Sequence, residues 1–333
     1  MKKPSIKDVA REAGVSTATV SHVFSGKKFV KEPLARKVRQ AADRMGYTVD
    51  RVASQLRSGR TNIVAVIVPS LEDLFLNSFI SRIESLAEDA GYQIIVACSR
   101  DDAETERERL RALMGWRPSG LIIVPYLKEV PGNLATEHPD VPTVAVDRIN
   151  PAFSRYDTVT IDNFASGRSV ADHMISQGAK SLLVLSSIDD VYTLEERIRG
   201  IKDRAAEDSS ASVEVLVVGR DPEIGAKRLS DWVQSHGSPS ALIGLSNVMT
   251  LAALSTFSAR NIEIPNDVLL AGFHDSLWMT ARKTPITTVV QPVDAVAKSA
   301  WDRLQHRIEG DDGPVQNIVF KSELVVRRST LKP

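Results

Sequence analysis

Ser5-Ile-Lys-Asp-Val-Ala-Arg-Glu-Ala-Gly14-Val-Ser-Thr-Ala-Thr-Val-Ser-His-Val-Phe24 holds two helix starts and one helix stop within a single short stretch. Ser5 with Asp8 three residues on is a capping-box pattern, the hydroxyl meeting the orphan amides and the carboxylate reaching back. Ile6, Val9 and Ala10 follow at helical spacing, and Gly14 ends the helix. After Val15 turns the chain, Ser16 can cap a second helix through about Phe24. Two helices joined by a tight glycine-containing turn are a helix-turn-helix. Val9, Ala10, Val15, Val20 and Val23 supply its core, leaving Thr17, Ala18, Ser21 and His22 on the outer side of the second helix.

A third helix is expected from about Pro33 to Met45, with Val38, Ala41, Ala42 and Met45 as its apolar stripe and Gly46 as its stop. Residues 1–60 carry 14 Lys plus Arg and 5 Asp plus Glu, a net of +9. The whole chain has 42 of each, so the remainder nets −9. A basic head on an acidic body implies an anionic partner for the head alone. Asp50 can cap a short segment, Arg51 to Ser58, that is too short for a stable helix by itself. Its Leu56 either packs on the domain that follows or, in a helix formed when two copies meet on DNA, wedges between base steps of the minor groove.

From Ile63 short β-branched runs alternate with amphipathic helices. Strands are expected at 63–68, 93–97, 121–124 and 143–146, and again at 181–185, 213–218, 241–245 and 268–271. Helices are expected near 76–90 and 105–114, then 163–177, 194–208, 222–234 and 248–258. Such alternation implies parallel sheets covered by helices on both faces. The fold class is therefore a small all-α head plus an α/β body of two doubly wound lobes, with a ligand cleft at the carboxyl ends of the strands.

Enzyme chemistry finds little footing. Neither a dinucleotide fingerprint nor a P-loop occurs, since Leu121 follows Gly120 where a P-loop needs Lys. The Gly-x-Ser-x-Gly elbow is absent. Six histidines (22, 138, 173, 236, 274 and 306) show no metal-ligand spacing, Cys98 is alone, and His173 reads as structural. No cofactor or metal is called for. One cysteine, no visible secretory signal and no long apolar run fit a cytoplasmic protein.

Ile6 to Ser21 resembles the head of the lactose/galactose repressor family. Ser16 to Val23, with His22 where most members have Arg, and Lys28-Phe29-Val30 are most similar to the purine-repressor branch. Val146-Asp147-Arg148, Ile161-Asp162-Asn163, Arg197-Ile-Arg-Gly200, Gly272-Phe273 and Pro285-Ile-Thr-Thr288 resemble family landmarks in the body. The resemblance implies a homodimeric repressor whose body is like periplasmic sugar-binding proteins. It implies a DNA-binding domain at 1–49, a hinge at 50–60 and an effector domain at 61–333. Within the last, lobe one takes about 61–161 plus 293–320, and lobe two about 162–290 plus 322–333. It implies base contacts from Thr17, Ala18 and His22 with Ser21 beside them, minor-groove contacts from Leu56 and Arg57, and Lys28 close to DNA. It implies a cleft lined by Phe75, Leu76, Asp147, Tyr192, Thr193, Arg197, Arg220, Ser246, His274 and Trp278.

Three positions depart from the family pattern. His274 replaces a carboxylate, Arg220 stands where an aromatic ring stacks, and Ser246 replaces asparagine. With Arg148 and Arg197 these suggest an anionic effector, a sugar acid or sugar phosphate. The alternative is that Arg148 and Arg220 face solvent or pair with Asp147 and Asp221. A solute-transport protein is the rival function; it would have no use for a basic helix-turn-helix head.

Overall fold

The computed structural model describes residues 4–25, 28–47, 61–188 and 190–332. Two compact units result, Met1–Thr61 and Asn62–Pro333. The minor-groove contacts expected of Leu56 and Arg57, and the helix cap expected at Asp50, lie outside the described residues.

The described residues of the head form three helices, α1 (Ile6–Ala13), α2 (Thr17–Ser25) and α3 (Glu32–Met45). The capping box forms: the Asp8 carboxylate accepts from Ser5 N at 2.9 Å and from Ser5 Oγ at 2.6 Å. Ser16 Oγ accepts from Thr19 N at 3.1 Å, capping α2. Gly14 and Gly46 end α1 and α3 with φ of 67° and 62°, a conformation that a side chain disfavours. Val9, Ala10, Val20, Val38, Ala41 and Ala42 are buried at the centre, where the three apolar stripes meet.

In the body, lobe one contains β1 (Ile63–Val68), α4 (Leu74–Asp89), β2 (Gln93–Cys98), α5 (Ala103–Met114), β3 (Gly120–Ile123), α6 (Gly132–Glu137), β4 (Thr143–Val146) and β5 (Asp157–Ile161). Lobe two continues with α7 (Asn163–Ser176), β6 (Ser181–Ser186), α8 (Tyr192–Ala206), β7 (Ser212–Val217), α9 (Pro222–His236), β8 (Ala241–Gly244), α10 (Asn247–Ala259), β9 (Leu269–Phe273), α11 (Leu277–Thr280) and β10 (Thr287–Val290). The chain then returns to lobe one for α12 (Val293–Ile308) and β11 (Asn317–Phe320), and ends in lobe two with β12 (Glu323–Val325).

The sheets are β11-β5-β4-β3-β1-β2 and β12-β10-β9-β8-β6-β7. Apart from its outermost strand, each repeats one doubly wound order, which reverses beside its first strand. The first sheet is wholly parallel; in the second β12 runs antiparallel to β10, with Val289 opposite Leu324. This departs from the all-parallel expectation. Only two residues separate β11 from β12, too few for the crossover that a parallel strand in the second sheet would need.

The central strands β1, β3, β8 and β9 are apolar on both faces because helices cover both sides, whereas β5 and β10 bury threonines. On α12, Val296, Ala297, Ala300, Trp301, Leu304 and Ile308 pack into the first lobe's core. Of the three crossings between lobes, the first and third are tied to each other. Asp162 N donates to Phe320 O at 2.9 Å, and the Ser166 and Ser322 hydroxyls meet at 2.6 Å. His173 is bonded to Thr330 Oγ1 at 2.7 Å, in keeping with a structural role.

Candidate functional site

On the head, α2 turns Thr17, Ala18 and Ser21 to solvent, and Lys28 is exposed beyond its end. His22 is half-buried and lines a shallow groove with Thr19, Phe29, Val30, Leu34 and Lys37. Phe29 is 92% exposed, a large apolar ring in a basic unit. Residue type alone could not reveal this, since a phenylalanine there reads equally well as core.

In the body, a cleft of about 490 Å³ collects the carboxyl ends of both sheets, a size suited to a small molecule. Pro69 follows β1 and Cys98 ends β2; Asp147 and Arg148 follow β4. From the other lobe come Ser187 after β6, Arg220 after β7, Leu245 and Ser246 after β8, and His274 after β9. Backbone strain concentrates here. Of the seven described non-glycine residues with positive φ, four line the cleft: Arg100, Asp101, Asp147 and His274. Such conformations cost free energy and persist where surrounding structure enforces them, often at binding sites.

Arg197, 2% exposed, anchors the floor. Its Nε donates to Asn163 Oδ1 at 2.8 Å and its Nη1 to Leu245 O at 2.7 Å. Its guanidinium lies 4.4 Å from the Phe273 ring centre. Burial brings its pKa down to about 10, opposed by the charges of Asp147 and Asp73, so it stays charged at neutral pH. Burial raises the Asp147 carboxyl above its ordinary value, against the pull of Arg197 and Arg148. Burial pushes the His274 imidazole down to about 4; Asp73 opposes this, and Arg197 and Arg148 reinforce it. His274 is thus neutral at neutral pH, stacked at a tilt 5.6 Å from Phe75.

Asp147 Oδ1, His274 Nδ1 and Asn247 Oδ1 are buried with no hydrogen-bond partner among the described residues. Orphaned polar atoms cost about 1–3 kcal/mol each when nothing meets them. Three around one cleft mark it as a place for a polar ligand.

Of the residues expected there, the cleft brings together Phe75, Asp147, Thr193, Arg197, Arg220, Ser246 and His274. Ser246 Oγ also caps α10, accepting from Met249 N at 3.4 Å. Leu76, Tyr192 and Trp278 are not among the lining residues. Leu76 points into the first lobe's core, and Trp278 packs on the second lobe's core. Tyr192 precedes Thr193 on α8, and neighbouring helical positions point about 100° apart. Arg148 and Arg220 pair with neither Asp147 nor Asp221. Both bind Asp101, and Asp221 caps α9 through Glu223 N at 2.8 Å.

Glu106 is a buried acid that the motifs did not flag. Its Oε1 accepts from Tyr126 N at 2.7 Å, and burial pushes its pKa up to about 7 against that bond and the charge of Arg148. A raised acid holds its proton in the folded state, so stability falls as pH rises from about 4.5 through about 7. Glu106→Gln, which copies the protonated form, should exceed the parent by on the order of 2 kcal/mol at pH 8 and lose that advantage near pH 4. Denaturation at the two pH values checks this; equal differences would rule out Glu106 as the source.

A basic head that carries a helix-turn-helix, followed by a two-lobed α/β body with a cleft at its strand ends, defines a DNA-binding transcription regulator. Residues 5–50 match the bacterial regulatory proteins of the lacI family, and residues 171–330 match the periplasmic binding protein-like domain. The chain is 30% identical over 332 residues to the HTH-type transcriptional repressor PurR of Vibrio atlanticus, covering 98% of each. It is 29% identical over 331 residues to the HTH-type transcriptional regulator PtxS of Pseudomonas putida, covering 99% of this chain and 96% of that one. The lac repressor dimer bound to operator and the anti-inducer ONPF shares the fold, with a TM-score of 0.86 at 22% identity over 99% of this chain and 100% of that one. The protein belongs to the lacI family of bacterial regulatory proteins. No described helix is long and apolar enough to cross a membrane.

Proposed function

We propose that the protein is a repressor that binds a near-palindromic operator as a homodimer, under control of a small hydroxylated acid held between its lobes. The observation that carries the effector reading is the cleft floor. Asp147 Oδ1 and His274 Nδ1, both orphaned, suit sugar hydroxyls, while the charged Arg197 beside them suits a carboxylate or phosphoryl group. The structural relatives include the lac repressor dimer with operator and CelR with cellobiose, which supports operator and sugar-like ligands as classes. A cytoplasmic location follows from this role.

Two-fold protein symmetry matches a two-fold DNA site. Phosphate contacts from the basic head give salt-sensitive affinity, and Thr17, Ala18, Ser21 and His22 read base edges, with Lys28 near the backbone. Leu56 and Arg57 would act in the minor groove. Effector binding changes operator affinity and operator binding changes effector affinity by the same factor.

Selection from random duplex DNA by the full chain should enrich a symmetric site. Thermal unfolding with D-gluconate, glucose 6-phosphate and D-glucose then tests the effector class. Stabilisation by glucose and not by the acids would overturn the acidic reading. On the selected operator, His22→Ala should cost about 1–3 kcal/mol at one base pair per half-site. Competition binding across single-base variants measures this, and an unchanged preference at every position would remove His22 from the reading set.

A further inference from the structure

Asp101 lies in the mouth of the cleft, on the turn between β2 and α5, with a carboxylate only 8% exposed. Guanidiniums from both lobes converge on it. Arg148 Nη1 of lobe one reaches Oδ1 at 2.5 Å, and Arg220 Nε of lobe two reaches Oδ2 at 3.3 Å. Arg220 Nη2 also reaches the Asp101 backbone oxygen at 3.5 Å, and its guanidinium stands 6.0 Å from the Tyr126 ring centre. Arg100 and Asp101 have φ of 55° and 54°, so two consecutive side-chain-bearing residues adopt the left-handed region. A loop free to relax would avoid this conformation or use glycine. Here the strain places a carboxylate between two arginines.

A carboxylate gripped from both lobes is also what the anionic end of an effector would be. Guanidiniums bind carboxylate and phosphoryl oxygens with the same forked geometry. We propose that Asp101 is a built-in competitor for the anionic group of the effector. It occupies the Arg148–Arg220 pair, and an acid enters by taking over those guanidiniums. This rests on the reading of the cleft as the effector site. It adds a selectivity rule: an acid must hold the two arginines well enough to displace a carboxylate already in place, whereas a neutral sugar leaves Asp101 where it is.

Asp101→Asn removes the competing charge at nearly constant shape. Inorganic phosphate is the first probe because it needs only the arginine pair. Calorimetric titration of the full chain should show phosphate and D-gluconate binding at least about tenfold tighter in Asp101→Asn than in the parent, the worth of one charge-assisted contact. D-glucose should show no comparable gain. Adding Arg220→Gln to Asp101→Asn should cancel the gain, separating it from general anion effects. Asp101→Ser gives the same comparison should the asparagine variant fold poorly. Unchanged or weaker phosphate binding in both variants would overturn the competitor role and leave Asp101 an ordinary interlobe ion pair. The phosphate arm does not depend on which metabolite the cleft prefers. A phosphate gain with no gluconate binding in either protein would therefore uphold the arginine site and sink the hydroxylated-acid reading alone.

Discussion

Gly200→Ala should destabilise the body by about 3 kcal/mol or more, the upper range for forcing atoms into a packed interior. A Cβ built at Gly200 on α8 would stand 2.1 Å from the carbonyl oxygen of Phe164 on α7. One built at Gly167 on α7 would stand 2.1 Å from the carbonyl oxygen of Arg197 on α8. Two glycines thus face each other's backbone, and neither obstacle is a side chain that can turn aside. The close approach also serves the site, since it sets Arg197 Nε 2.8 Å from Asn163 Oδ1 at the start of α7. Spreading the helices therefore costs both packing and the arginine's anchor. Gly225→Ala on α9 is the control. Its Cβ would meet side chains alone, the Ala252 methyl carbon at 3.3 Å and Val218 Cγ2 at 3.5 Å, and alanine gains back about 1 kcal/mol of helix propensity. Urea denaturation should rank Gly200→Ala and Gly167→Ala far below Gly225→Ala, with m values unchanged. Equal midpoints for the three would show that α7 and α8 can part without penalty.

Much of this arrangement is legible in the chain because local signals agree with the global fold. Ile63-Val-Ala-Val-Ile-Val68 can only be a strand buried on both faces, and the strand expected at 63–68 coincides with β1. Other boundaries move by a residue or two, as at β9, expected at 268–271 and found at Leu269–Phe273. What goes unread has physical reasons. The edge strands β11 and β12 are short and half-exposed, and their apolar runs, Ile318-Val-Phe320 and Leu324-Val-Val326, are only three residues long. The helix α12 is different. Its stripe of Val296, Ala300, Trp301, Leu304 and Ile308 repeats at helical spacing, and the sequence reading assigns it to a lobe without assigning it a helix.

In the cleft, residues that directly follow strands, such as Asp147 and His274, are legible because doubly wound sheets bind ligands there. Leu76 fails for a reason of helix phase. If Phe75 faces the cleft, the next side chain is turned about 100° toward the core. Asp101 fails for a reason of distance. Its partners Arg148 and Arg220 lie 47 and 119 residues away, and no local pattern announces a pairing at that range.

Arg197→Met should lower stability by about 3 kcal/mol at pH 7.5, because two buried charge-assisted hydrogen bonds are lost and a buried carboxyl loses the positive charge that opposes its burial. The substitution nearly preserves volume, so the loss is electrostatic rather than steric. Asn163 Oδ1 and Leu245 O lose their donors, and Asp147 loses the positive charge that most opposes the effect of its burial. The pH dependence separates the two losses. The Asp147 carboxyl already sits above 3.8 through burial, and without Arg197 it rises further. In the unfolded chain it titrates at its ordinary value. Between those two points the folded variant holds a proton that the unfolded chain releases, so its stability falls as pH rises through the window. Below the window Asp147 is neutral in both states, and only the lost hydrogen bonds remain. The gap between parent and variant should therefore be smallest near pH 4 and widen toward pH 7.5. Adding Asp147→Asn should restore much of the loss at pH 7.5 and little at pH 4, because asparagine needs no counter-charge. Denaturation of the three proteins at both pH values measures this. A gap independent of pH, or a double variant no better than the single one, would mean that Arg197 works through its hydrogen bonds alone. The cleft floor would then be a scaffold without the charge balance that an acidic effector exploits.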